Sequence, residues 1–269
     1  MECQKINKSN KKYRKKLKKH HFLYLIFVTL SVILVIINIS DIFSGLLTHS
    51  GSLFFKQKIE VSSYSVYAVS GDDFDNEIDA KFFSSEVKSL GGSGYIIKSG
   101  EYFVIVSSYP NLTEAHEIQS NLIQLGYNSR IVNIHIPEVS IFYQGKNATF
   151  FKNCISIFRD IYKDIYENSI LLDQQKITNS KINGCISAYI SKLSAIDDYF
   201  SNFKTNIDTK ISKILRPHLS SLSQYLKEFL SSNYNGTNYT SELKTLSIKV
   251  ATQNEMLSCE LKEKMQGKW

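Results

Sequence analysis

The sequence predicts an α+β protein in three parts: a single transmembrane helix, a βαββαβ domain of the split-βαβ kind, and an all-α helical bundle or coiled-coil region. Three observations predict it. An apolar run without charges lies between His21 and Asp41; two helical stripes recur 35 residues apart among alternating strand patterns; and from residue 139 the apolar positions keep helical spacing.

The formal charge is +7, but residues 1 to 20 hold nine Lys or Arg against Glu2, so the rest of the chain sums to −1. The sequence pI near 9.0 therefore describes a tail and gives no support for nucleic-acid binding by the folded part. Phe22 to Ile37 is apolar on all sides, and Asn38-Ile-Ser40 extends it to Asp41. About 19 residues at roughly 1.5 Å each give a helix of about 28 Å, which just crosses a bilayer core of about 30 Å. The basic flank puts residues 1–21 in the cytoplasm, the span at 22–40, and the remainder outside, for a single-pass protein of the cell membrane. A cleaved signal peptide is the competing reading; the run is long for one, and no small-x-small cleavage pattern follows. Residues 41–61 lack clear periodicity and read as a juxtamembrane spacer.

The domain expected at 62–137 opens with Tyr64-Ser-Val-Tyr-Ala-Val69, which alternates as a strand does. Ala80, Phe83, Val87 and Leu90 then fall at helical spacings of 3, 4 and 3, and Gly91-Gly-Ser-Gly94 ends the stripe as a C-cap and turn. That glycine cluster follows a helix and lacks a Lys-Ser/Thr after it, so it is not a phosphate loop. Tyr95 to Lys98 and Tyr102 to Ser107 flank a Ser99-Gly100 turn and read as a hairpin. Ala115, Ile118, Leu122 and Leu125 repeat the first stripe, Leu125-Gly126 closes it, and Asn111 with Glu114 supplies an N-cap. A last strand runs from Arg130 to His135.

The region 139–269 reads as helix throughout. Phe151, Ile155, Phe158, Tyr162 and Ile165 form one stripe. Ile182, Ile186, Tyr189, Leu193, Ile196, Phe200, Phe203 and Ile207 alternate spacings of 4 and 3 up to a break expected at Pro217. Leu219, Leu222, Leu226 and Phe229, then Leu243, Leu246, Val250, Leu257 and Leu261, supply two more helices. Short polar loops favour a bundle within the chain, and the long heptad leaves a homodimer seam open.

The sequence carries no recognised motif for catalysis or metal binding. The six histidines form no HExxH or paired-His face, there is no GxSxG, and no cysteine pair has zinc spacing. Asp72, Asp73 and Asp75 lack EF-hand spacing and read as a solvated loop. Cys154, Cys185 and Cys259 read as small core residues. Sequons at Asn111, Asn147, Asn235 and Asn238 are close in number to chance. The expectation is a non-enzymatic protein with no cofactor or metal.

The chain resembles the SPOR (sporulation-related repeat) domain family over residues 62 to 137. The resemblance rests on Tyr64-Ser-Val-Tyr-Ala-Val69, on Tyr102-Phe-Val-Ile-Val-Ser-Ser-Tyr109 leading into Thr113-Glu-Ala115, and on Leu122-Ile-Gln-Leu-Gly-Tyr-Asn128. It departs from the family where Tyr67, Val69 and Ser107 replace the usual glutamine and glycines. The resemblance implies a module that binds peptidoglycan, as denuded glycan strands, in cell division or sporulation; the alternative is a cell-envelope protein as partner and a scaffold role. Strand alternation puts Tyr67, Val69, Phe103, Ile105 and Ser107 on the free face of the sheet, away from the helix-packed Val66, Ala68, Val104 and Val106. Those five residues are the expected glycan contacts. The alternative reading of so apolar a patch is a seat for the C-terminal helices.

Overall fold

A computed structural model describes residues 56–203, 206–232 and 234–265. The chain runs through β1 (Lys56–Val61), β2 (Tyr64–Phe74), α1 (Glu77–Ser89), β3 (Tyr95–Ser99), β4 (Glu101–Tyr109), α2 (Leu112–Gln124), β5 (Ile131–Ile136) and β6 (Val139–Gln144). Four long helices follow: α3 (Ala148–Asp173), α4 (Asn179–Phe200), α5 (Asn206–Ser231) and α6 (Thr237–Met265). The described residues form an α+β architecture with six helices and two sheets.

This corrects the predicted fold class and localisation. None of the six helices is long and apolar enough to cross a membrane, because their apolar residues form stripes between charged faces. Thus α3 carries Lys152, Arg159, Asp160, Lys163, Asp164 and Glu167 along its length. The transmembrane helix expected at 22–40, its basic tail at 1–21 and the spacer up to residue 55 lie outside the described residues.

The main sheet has the order β3-β4-β2-β5 with antiparallel neighbours. A second sheet pairs β1 with β6, from Lys56↔Gln144 to Val61↔Val139. It prolongs the β2–β5 pair, which ends at Tyr64↔Ile136, and the break falls at Pro137, which has no N–H to give to a ladder. Val139, Ile141 and Tyr143 alternate inward with exposures of 0% each, while Phe142 points out. This is strand periodicity in a stretch expected to be helix.

Both short helices are capped at both ends by their own sequence. Asn76 and Asn111 accept from the N–H of Asp79 and Thr113. At the C-termini, Gly92 N–H bonds to Val87 O and Gly91 N–H to Lys88 O, and Tyr127 and Gly126 do the same with Leu122 and Ile123. These are Schellman turns, with Gly91 and Gly126 at φ of 82° and 94°. The 35-residue repeat is thus a repeat of helix endings.

In the helical region the heptad run divides: α4 ends at Phe200, and α5 begins at Asn206. Ile182, Ile186, Leu193 and Phe200 are buried in the chain's own core, and Tyr189, Ile196, Phe203 and Ile207 pack against it. The stripe that left a homodimer seam open as the alternative is therefore filled from within the chain. Pro217, expected to end a helix, lies inside α5. It sits on the exposed side with Lys213, so the carbonyl its ring leaves unbonded faces water.

Candidate interaction surface

Helix α6 decides what the sheet can present. One face of the sheet carries α1 and α2, and α6 lies across the other while also packing on α3 and α5. It is buried nearly all round: Leu243, Leu246, Val250, Leu257 and Leu261 form the expected stripe, and Ser241, Thr245, Ser247, Ala251 and Ser258 are buried as well. Small side chains let two neighbours approach one helix closely.

The contact with the sheet is polar at its margins. Thr245 Oγ1 donates to Ser93 O at 2.7 Å, and the Ser93 hydroxyl lies 3.2 Å from Thr245 Oγ1. Ser108 and Ser247 hydroxyls are 3.2 Å apart, and Asn254 Nδ2 donates to Tyr64 OH at 2.8 Å. Lys88 pairs with Glu242 at 2.8 Å, and Lys244 reaches both Asp173 at 3.0 Å and Gly91 O at 3.1 Å. The Ser93, Thr245, Ser108 and Ser247 bonds meet groups that burial would otherwise leave unpaired, whereas Lys88 and Asp173 keep part of their surface in water.

The five expected glycan contacts do not form one patch. Phe103 and Ile105 join Val66 and Ala68 in the core shared with the bundle, while Val104 is buried with Ala80 and Val87 of α1. Cross-strand partners share a face, and Val69 pairs with Ser107 beside the Ala68↔Ser108 pair that meets α6. Tyr67, Val69 and Ser107 therefore look the other way, toward the helix layer. The cause is a pair of bulges: the register skips Val106 between Ser107 and Ile105, and Gly71 between Ser70 and Asp72. Val69 and Ile105 are each 0% exposed and Phe103 9%, with Tyr67 and Ser107 half-buried. A residue pattern read by strict alternation misses such a switch. The signal that could have found it is Gly71, which lies so close to Phe83 that an added Cβ would come within 2.9 Å of its ring.

Other chemistry-bearing groups have structural partners. His218 is buried with Nδ1 2.6 Å from Gln253 Nε2 and Nε2 2.7 Å from Glu260 Oε2. Lys264, then His218, hold the Glu260 carboxyl below the usual carboxylate range. Asp208 accepts from Tyr143 OH at 2.5 Å and from Asn147 Nδ2 at 3.2 Å. Asp73 pairs with Arg130 at 3.1 Å and accepts from Asn128 at 2.6 Å. Burial pushes the Cys154 thiol up to about 12. Among the described residues no group of three or more His, Cys, Asp or Glu is placed to hold a metal ion.

Burial also pushes the phenols of Tyr64 and Tyr239 from 10.0 to about 12. A raised folded-state pKa means the fold holds the proton, so the contribution is whole below about pH 10 and lost as the pH rises through about 12. The urea midpoint is expected to fall between pH 10 and 12, and Tyr64→Phe to flatten that slope. An unchanged midpoint over this range, followed with the 295 nm phenolate absorbance, would contradict their burial.

No protein-family model matches the chain, and no curated protein matches it. Among solved structures, it is similar to the solution structure of the peptidoglycan binding domain of B. subtilis cell wall lytic enzyme CwlC. The two are 19% identical with a TM-score of 0.24, over 27% of this chain and 94% of that one.

Proposed function

We propose that this protein is a non-catalytic scaffold, in which a SPOR-like βαββαβ module and a helical bundle are joined into one body that assembles other proteins. The observation that carries the reading is the position of α6, which covers the sheet face expected to be free, with Phe103 and Ile105 beneath it, and ties that face to the bundle through Thr245, Ser247 and Asn254. A sheet face so covered serves as an internal seam. A second reading is kept because the Tyr102 to Tyr109 phrase and the Leu-Gly-Tyr exit resemble the SPOR family: binding of peptidoglycan glycan, in the setting of division or sporulation. A sacculus pull-down separates them. The full chain is expected to stay in the supernatant of amidase-treated sacculi rich in denuded glycan. Saturable retention there, competed by soluble denuded strands, would replace the scaffold reading with the glycan one.

A further inference from the structure

The helix layer on the far side of the sheet carries an opening of its own. α1 and α2 pack mainly on the sheet and little on each other. Between their C-terminal halves lies a groove of about 250 Å³, walled by Phe83, Val87 and Leu90 on one side and by Leu122, Leu125 and Tyr127 on the other. Its floor includes Gly71 and Gly92, where added side chains would meet Phe83 and Val87. Of the ten large apolar side chains exposed among the described residues, six belong to this layer: Ile78, Phe82, Leu90, Leu112, Ile123 and Leu125. Leu90 and Leu125 occupy the equivalent C-cap position of each helix and stand 75% and 74% exposed. A repeated cap leucine turned to water beside an open groove is costly to leave uncovered. The volume is below the range of about 300–1,000 Å³ that small-molecule sites fill. It suits one or two apolar side chains of a peptide.

The electrostatics choose the peptide. Both helices bring their C-terminal ends to the groove, each equivalent to about half a negative charge. Glu86 lines it without an ion-pair partner among the described residues. The neighbouring cations are already held: Lys81 by Glu77 at 2.6 Å, Lys88 by Glu242 and Lys244 by Asp173. The last turn of α2 contains no basic residue. We infer that this groove docks a basic amphipathic segment of a partner protein, with a large apolar side chain between Leu90 and Leu125 and a Lys or Arg nearby against Glu86. A second copy docked symmetrically, groove to groove, would set the same carboxylate and helix ends against their own kind, and an anionic lipid surface would meet the same repulsion.

The inference deepens the scaffold reading by naming a partner chemistry, but it uses a different surface, so a sacculus result leaves it untouched. The probe is a phage-displayed library of random dodecapeptides selected on the full chain, with counter-selection on an E86K/L125S variant. The expected consensus joins Leu, Ile, Phe, Met or Trp to a Lys or Arg within about four residues. A synthetic consensus peptide should bind L125S and E86K at least tenfold more weakly, and F142S, altered at a remote exposed site, as well as it binds the parent. The substituted positions are exposed, so the fold is retained. Any of four results would overturn the proposal: no enrichment, an acidic consensus, a consensus peptide indifferent to E86K and L125S, or L125S abolishing self-association or uptake on phosphatidylglycerol vesicles in place of peptide binding.

Discussion

Changing Ile105 to aspartate is expected to remove most or all of the folding stability at 25 °C. Ile105 is 0% exposed, on the sheet face that α6 covers, in the apolar core that runs on into α3 and α5. Removing the buried isoleucine forfeits about 1.5–3 kcal/mol, and a buried carboxylate without a partner adds several more. Against a typical folding free energy of about 5–15 kcal/mol, the sum takes most or all of the stability. Circular dichroism at 222 nm and limited proteolysis report it directly. Tyr67→Ser is the internal comparison: half-buried on the opposite side, it is expected to cost about 1 kcal/mol, the usual size for a point substitution. An I105D protein that melts within a few degrees of the parent would mean that the sheet face is open and α6 does not cover it.

Phe151→Ala is expected to lower the unfolding free energy by about 3–5 kcal/mol. The Phe151 ring is 0% exposed and stands edge-on to Tyr143 of β6, with centroids 5.7 Å apart. It also meets Phe150 at 5.7 Å and Phe203 at 5.3 Å. One side chain therefore holds the two-stranded sheet, the start of α3 and the segment after α4 together. The near-UV circular dichroism of the aromatic cluster should weaken along with the urea midpoint. A loss under about 1 kcal/mol would mean that these rings do not form a common core.

The parts of this fold that could be read in advance are those in which the signal is local. Helical spacing picks out Ala80, Phe83, Val87 and Leu90, then Ala115, Ile118, Leu122 and Leu125; Ala80, Val87 and Ala115 are buried, Phe83, Ile118 and Leu122 half-buried, and the cap leucines Leu90 and Leu125 exposed. The glycines after Leu90 and Leu125 mark helix ends because only a residue at ease with positive φ closes a Schellman turn. What escaped depends on partners distant in the chain. Strand β1 offers only Ile59 and Val61 as apolar residues, and it is a strand because Val139, Ile141 and Tyr143 lie beside it. The parity switch at Val106 arises from two bulges and from no residue preference of Val106 itself. Helix α6 shows a single apolar stripe in the sequence, since its second buried face is made of Ser, Thr and Ala, which look like surface residues until a sheet is laid against them. The five expected contacts failed to converge for the same reason: their placement depends on the bulges and on a helix more than 100 residues further along the chain.

That sequence distance has a consequence for biosynthesis. The hydrogen bond from Asn254 to Tyr64 spans 190 residues, and the pair Ser108 and Ser247 spans 139. At a synthesis rate of about 5–20 residues per second, the residues between Tyr109 and Leu261 take roughly eight to thirty seconds to emerge. During that interval Val66, Ala68, Phe103 and Ile105 form an apolar surface with no cover, flanked by the open edge of β3. A nascent chain in this state is a substrate for holding chaperones and for edge-to-edge association with its neighbours on the same messenger. Slowed translation through α6 is expected to lower the fraction of each round of synthesis that reaches the assembled fold.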